Sequence, residues 1–128
     1  MKKFVIHEHF SKKHHFDLRL ELDGVLKSWA IPKGLSYVSD EKHLAILVED
    51  HPLEYIIFEG TIPEGKYGAG EVKIWDSGDY YTTDNDEKKA FEKGSMTIRF
   101  KGEKLDGIWK LYKFWKGGED SWLIQRKS

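Results

Sequence analysis

The chain has no cysteine. That excludes a disulfide framework, a thiolate zinc site, an iron–sulfur cluster and a cysteine nucleophile. It also lacks an excess of either charge: 21 Lys+Arg stand against 22 Asp+Glu, for a formal net charge of -1. A broadly basic nucleic-acid-binding surface is therefore excluded, and any polyanion must be met by a local patch. Long hydrophobic runs are missing. The N-terminal Phe4-Val5-Ile6 stops at His7, far short of a signal-peptide core, and nothing approaches membrane-spanning length. These absences point to a soluble, cytoplasmic protein with no membrane partner. Internal repeats, low-complexity tracts and linkers are absent too. Aromatic residues are plentiful: they make up 14% of the chain, five Trp among them, enough for 128 residues to bury a real core as one domain.

The dominant period is two. Phe16, Leu18, Leu20 and Leu22 alternate with Asp17, Arg19 and Glu21, which puts the two sets on opposite faces of a strand. Asp23-Gly24 is a strong hairpin signal, Val25–Ile31 is the returning strand, and Pro32 ends it. Leu44–Val48 reads as a buried strand and Tyr55–Glu59 as a short one. A Gly- and Pro-rich loop runs from Gly60 to Gly70. Glu71–Trp75 and Asp79–Thr83 read as a hairpin about Asp76-Ser77-Gly78. Glu87–Lys93 suits a short helix stopped by Gly94, and Met96–Phe100, Ile108–Phe114 and Trp122–Arg126 suit strands. Seven to nine short strands and one or two short helices predict a mainly β fold, an antiparallel barrel or sandwich.

The densest chemical signal is His9-x5-His15-x-Asp17-x-Arg19-x-Glu21. Alternation gathers an imidazole, two carboxylates and a guanidinium on one strand face, and a short loop can fold His9 over them. Two imidazoles and a carboxylate suit a divalent metal such as Mn, Zn or Fe(II), with positions left open for water or substrate. Arg19 can clamp a phosphate oxygen. The competing reading is an ordinary solvated strand face. Against it, four of the six His lie between Phe4 and Phe16. His51 follows a buried strand, where barrels place functional side chains, although a turn histidine is the commoner case. His7 and His14 read as surface or supporting residues. Gly65-Lys66-Tyr67-Gly68-Ala69-Gly70 does not have the spacing of a nucleotide loop and reads as a wall beside a site. Lys12, Lys13 and Lys33 can supply local positive potential for a phosphodiester backbone.

Several long motifs then occur in one order. They are His9-x5-His15-Phe16-Asp17-Leu18-Arg19-Leu20-Glu21-Leu22-Asp23-Gly24, Trp29-Ala30-Ile31-Pro32-Lys33-Gly34, Val48-Glu49-Asp50-His51-Pro52-Leu53-Glu54-Tyr55, and Phe58-Glu59-Gly60 through Gly70. Together they closely resemble the 3′-phosphoesterase domain of bacterial DNA ligase D, from about Phe4 to the C-terminus. The resemblance implies a compact, partly open β-barrel with its site in a concave face. It implies a Mn2+-dependent enzyme that removes a terminal ribonucleoside and then the 3′-phosphate from DNA or RNA–DNA 3′ ends, leaving a 3′-OH.

The resemblance also implies roles. His9, His15 and Asp17 match metal ligands. Arg19 and His51 match residues that engage the scissile phosphate, and Tyr55 a tyrosine needed for activity. Lys33 matches a further phosphate contact, and Glu49 and Glu21 are accessory. His43 takes the place of a phosphate-contacting arginine, exchanging a permanent charge for a shorter imidazole. The chain begins eight residues before His9, without the family's N-terminal arm. It reads as a stand-alone member, with a DNA ligase and a polymerase as partners in trans. Two other classes compete: a non-catalytic barrel that binds nucleic-acid ends or a repair partner, and a cupin-like oxygenase using two His and a carboxylate.

Overall fold

Nine strands and one α-helix make up the computed structural model, which describes Met1–Ser128. They are β1 (Lys2–Phe10), β2 (His14–Leu22), β3 (Val25–Ile31), β4 (His43–His51), β5 (Gly60–Ile62), β6 (Gly70–Thr82), α1 (Glu87–Lys93), β7 (Ser95–Gly102), β8 (Asp106–Lys113) and β9 (Ser121–Arg126). Neighbours run β1-β2-β3-β4-β9-β8-β7-β6, and β6 pairs back onto β1. Every ladder is antiparallel, so eight strands form the expected barrel, with its ladder closed all the way round. Strand β5 lies outside this ring, on the edge that β6 leaves free beyond β7.

Local chemistry accounts for most joints. Asp23 and Gly24 both take positive φ, 54° and 83°, as a two-residue turn between right-twisted strands requires. Helix α1 begins at Asp86, whose side chain accepts from the Lys89 amide, and ends at Gly94 with φ 80°. Phe91 on this helix packs against Trp29 and Trp122 at the edge of the core. The barrel interior holds Phe4, Ile6, Leu18, Leu20, Trp29, Ile31, Ile98, Phe100, Trp109, Leu111, Trp122 and Ile124. Each large apolar side chain buried this way contributes about 1.5–3 kcal/mol.

Two sequence expectations give way. Asp76-Ser77-Gly78 is not a turn: β6 runs straight through it as one strand of 13 residues. Asp76 is buried and accepts the backbone amides of Glu103, Lys104 and Leu105, and a Cβ at Gly78 would run into the Lys101 carbonyl. The second correction concerns Tyr55–Glu59, where the pattern predicts a strand. Leu53–Ile57 is instead a 3₁₀ turn following Pro52.

This 3₁₀ turn forms one wall of a cleft. Leu18 and Leu20 face the core, so period two sends Asp17 and Arg19 to the outside of the barrel wall. The turn and the Gly-rich loop after β5 lie over that outer face and close it into a cavity of about 510 Å³.

Candidate active site

Strand register builds the site. His9 lies opposite His15 and His7 opposite Asp17 across β1 and β2, and Asp17 and Arg19 lie opposite Ala30 and Ser28 across β2 and β3. The face read as a possible solvated surface is in fact buried: Asp17 is 5% and Arg19 4% exposed. His9, His15, Asp17, Arg19, His51 and Tyr55 all line the cleft, so six of the eight residues expected to hold metal or engage phosphate converge there.

The two imidazoles are oriented by carbonyls. His9 Nε2 meets the Gly68 carbonyl at 2.8 Å, and His15 Nδ1 meets the Lys13 carbonyl at 3.0 Å. A carbonyl only accepts, so each of those nitrogens carries its ring's proton. The other two nitrogens, His9 Nδ1 and His15 Nε2, then present lone pairs to each other at 3.2 Å. Asp17 completes the group, 3.6 Å from His9 Nδ1 through Oδ2 and 3.3 Å from His15 Nε2 through Oδ1. Three lone-pair donors aimed at one point repel unless a cation lies among them. Metal–ligand bonds of roughly 2.0–2.2 Å place neighbouring ligands about 3.0–3.5 Å apart, so these residues fit a divalent metal. The Gly-rich loop is built for this orientation. A Cβ at Gly70 would run into the Phe10 carbonyl and push the loop, with the Gly68 carbonyl, away from His9.

Electrostatics agree with the donor set. Burial alone would raise the Asp17 carboxyl, but the His15 and His9 rings against it, which in the metal-free site can share a proton with the carboxylate, and the charge of Arg19 hold it well below the usual carboxylate range. Without metal, a proton on His15 Nε2 can take the cation's place and donate to Asp17, which raises His15 against the effect of its burial.

Arg19 stands beside this triad in a fixed pose. Its Nε–H donates to His7 Nδ1 at 3.0 Å, and Nη1 reaches Ser28 Oγ at 2.9 Å and His51 Nδ1 at 3.2 Å. Nη2 reaches Asp17 Oδ2 at 3.4 Å. A guanidinium has five N–H groups, so at least one on Nη2 has no protein partner. The Tyr55 ring packs against the guanidinium, 4.9 Å from its carbon. Burial, opposed by the Arg19 charge, raises the Tyr55 phenol, which stays a hydroxyl at neutral pH.

His51 Nδ1 is 3.2 Å from Arg19 Nη1 and 3.1 Å from the Glu49 carbonyl. One nitrogen cannot accept from the first and donate to the second at once, so the two neighbours favour different tautomers. Burial and Arg19 push the ring's pKa down, and it is neutral at pH 7.

Other expected residues fall elsewhere. The Glu21 carboxylate accepts the Lys3 amide, away from the cleft lining. His43 bonds the Gly34 carbonyl and Glu41, which occupies both ring nitrogens outside the cleft. The Lys33 and Glu49 side chains are exposed and do not line it, although the Glu49 carbonyl orients His51. Lys12 and Lys66 stand at its rim.

Two participants escape the sequence reading. Ser28 is fully buried beneath Arg19, and His7, read as a surface or supporting residue, is 0% exposed. Burial first, and then the Arg19 charge, push the pKa of His7 down to about 4, so it is neutral and can accept from Arg19. Its Nε2 is buried without a well-formed hydrogen bond; the nearby Phe58 carbonyl favours the charged ring only weakly against the depression. Extending the alternation back through Val5, His7 and His9 is the signal that locates His7 on the site face.

A β-barrel whose outer wall carries two imidazoles, a carboxylate and a buried guanidinium in one cleft has the parts of a metal-assisted phosphoester-binding site. Residues 7–113 match the DNA Ligase D 3'-phosphoesterase domain, and the chain belongs to that family. It is 45% identical over 123 residues, 95% of its length, to the multifunctional non-homologous end joining protein LigD of Pseudomonas aeruginosa, of which this covers 14%. It is 46% identical to the LigD of Mycolicibacterium smegmatis over 97% of its own length and 16% of the relative. It is 47% identical to the LigD of Mycobacterium tuberculosis over 96% of its own length and 16% of the relative. The chain thus spans about a sixth or less of the length of these relatives. No helix is long and apolar enough to cross a membrane.

Proposed function

We propose that the protein is a Mn2+-dependent phosphoesterase that heals DNA 3′ ends, removing a 3′-phosphate and, by phosphodiester cleavage, a terminal ribonucleoside, to leave a 3′-OH for repair. One observation carries the reading. The outward-facing lone pairs of His9 and His15 and the Asp17 carboxylate share a cleft with an Arg19 guanidinium that has a donor to spare. Membership of the 3'-phosphoesterase family supports it, as does the end-joining role named for the LigD relatives.

His9, His15 and Asp17 would hold the metal, which when bound supplies Lewis-acid polarisation of a phosphate oxygen or of water. The chain's own groups do the remaining work. Phosphoryl transfer depends mainly on positioning and charge stabilisation. Arg19 meets a second phosphate oxygen with its free Nη2–H, without reorganising, because its other contacts are already made. His51 turns its Nε2 toward a third oxygen or the leaving oxygen. With a proton on Nδ1, His51 donates to the Glu49 carbonyl, the partner that also suits a protonated ring able to act as acid. Tyr55 buttresses Arg19 and offers a hydroxyl donor. Lys12 and Lys66 supply positive charge to the approaching strand at the rim, on a protein whose net charge supplies none.

The test is an end-labelled primer–template carrying either a 3′-phosphate or a 3′-terminal ribonucleotide, incubated with and without Mn2+ beside His15→Ala. Conversion to a 3′-OH that needs both Mn2+ and His15 is the expected result. A folded protein that binds these ends without metal and converts none of them would replace the enzyme with an end-binding barrel.

A further inference from the structure

We propose that His7 is a positioning residue for Arg19: its Nδ1 accepts the Arg19 Nε–H and so aims the one Nη2–H without a protein partner into the cleft. The inference rests on the reading of Arg19 as the phosphate-engaging group.

The geometry carries it. A guanidinium is planar, so fixing Nε and one terminal nitrogen fixes the direction of the other. His7 fixes Nε at 3.0 Å and Ser28 fixes Nη1 at 2.9 Å. Ser28 in turn donates to the Leu26 carbonyl, so its oxygen is free to accept from Arg19. His51 is the movable partner, since the Glu49 carbonyl competes for its Nδ1. Without His7, and with His51 turned away, only Ser28, Tyr55 and the long Asp17 contact are left, and the guanidinium can rotate about its stem and give both Nη2–H groups to Asp17. His7 is what prevents that.

The choice of residue points the same way. His7 is fully buried, its ring packs edge-on against Tyr55 at 5.2 Å between centroids, and its Nε2 makes no well-formed hydrogen bond, with the Phe58 carbonyl nearby. An apolar side chain would fill the same space without stranding a polar nitrogen. The imidazole is worth that cost for the one thing an apolar residue lacks, an acceptor facing Arg19.

The experiment compares the wild-type chain with His7→Gln, which keeps a neutral acceptor, and His7→Leu, which keeps bulk only. Steady-state hydrolysis of a 3′-phosphate primer–template is measured at saturating Mn2+, together with solvent exchange of the Arg19 Nε–H by NMR. In His7→Leu, kcat is expected to fall about 10- to 100-fold and the Arg19 Nε–H to lose its protection, with Mn2+ affinity unchanged. His7→Gln is expected to restore both to within a few-fold. A folded His7→Leu with a protected Nε–H and near-normal kcat would overturn the proposal, as would His7→Gln failing as badly as His7→Leu. Should no protein, wild type included, release phosphate, the reading of the function fails, and the exchange measurement alone still decides whether His7 holds Arg19.

Discussion

His9 and His15 face each other lone pair to lone pair, 3.2 Å apart, because the Gly68 and Lys13 carbonyls claim the protons of their other nitrogens. With the Asp17 carboxylate against both, this arrangement is destabilising until a cation enters it. Divalent metal should therefore stabilise the fold as well as activate it. At 100-fold over Kd the gain is about 2.7 kcal/mol, several degrees in Tm. Mn2+ is expected to raise the Tm of the wild type and to leave that of Asp17→Asn nearly unchanged. An equal shift in both would remove Asp17 from the ligand set. The same variant is expected to lose essentially all phosphoesterase activity.

Arg19 tests the charge-stabilising half of the site. Lysine keeps the charge but cannot make the fork that spans His7, Ser28 and the cleft. Arg19→Lys is expected to lower the rate by about 10²–10³, the usual cost of deleting a transition-state donor, with metal binding retained. A rate within ten-fold of wild type would mean that Arg19 serves the fold only.

The parts of the architecture legible in the sequence are those where one side of a strand is polar and the other apolar. Strands β2 and β3, the Asp23-Gly24 turn and helix α1 with its Gly94 stop all emerge from local pattern. Strand β1 does not alternate, because both of its faces are buried: Phe4 and Ile6 point into the core, and Val5, His7 and His9 into the site wall. Strand β6 is hidden because Asp76 and Gly78 look like turn residues, whereas tertiary contacts place them within a strand. Tyr55-Ile56-Ile57-Phe58 carries strand-forming side chains, yet Tyr55 and Phe58 stack one above the other at 4.8 Å, the three-residue repeat of a 3₁₀ turn. For the site, the residues on β2 follow from period two. Which of them meet His7, Ser28 and His51 depends on register between strands, which no local pattern carries.

Asp76 separates structure from function. Its carboxylate takes three backbone amides of the turn between β7 and β8, on a residue 6% exposed and outside the cleft lining. Asp76→Ala strands those donors, and a loss of about 2–4 kcal/mol in unfolding free energy is expected. Activity per folded molecule should stay unchanged below the lowered Tm. A defect in kcat at 20 °C, with the protein fully folded, would contradict this division.

The pH dependence of the metal-free protein follows from His7. Its pKa is 6.5 when unfolded and about 4 when folded, because burial and then Arg19 disfavour its charge, with Asp17 and the Phe58 carbonyl acting the other way and His51 adding to the depression. Between these values the unfolded chain binds the extra proton, so stability falls as pH drops from 6.5 toward 4. The gap corresponds to about 3 kcal/mol. His51, also lowered, acts in the same direction, whereas His15, raised by Asp17, acts in the opposite one. The difference between wild type and His7→Gln isolates the contribution of His7. With metal chelated, any advantage of the wild type in urea should shrink by about 3 kcal/mol between pH 7 and pH 4, and the His7 ring should titrate by NMR near pH 4. A constant difference across that range, or a His7 midpoint near 6.5, would mean that the ring is not held neutral against Arg19.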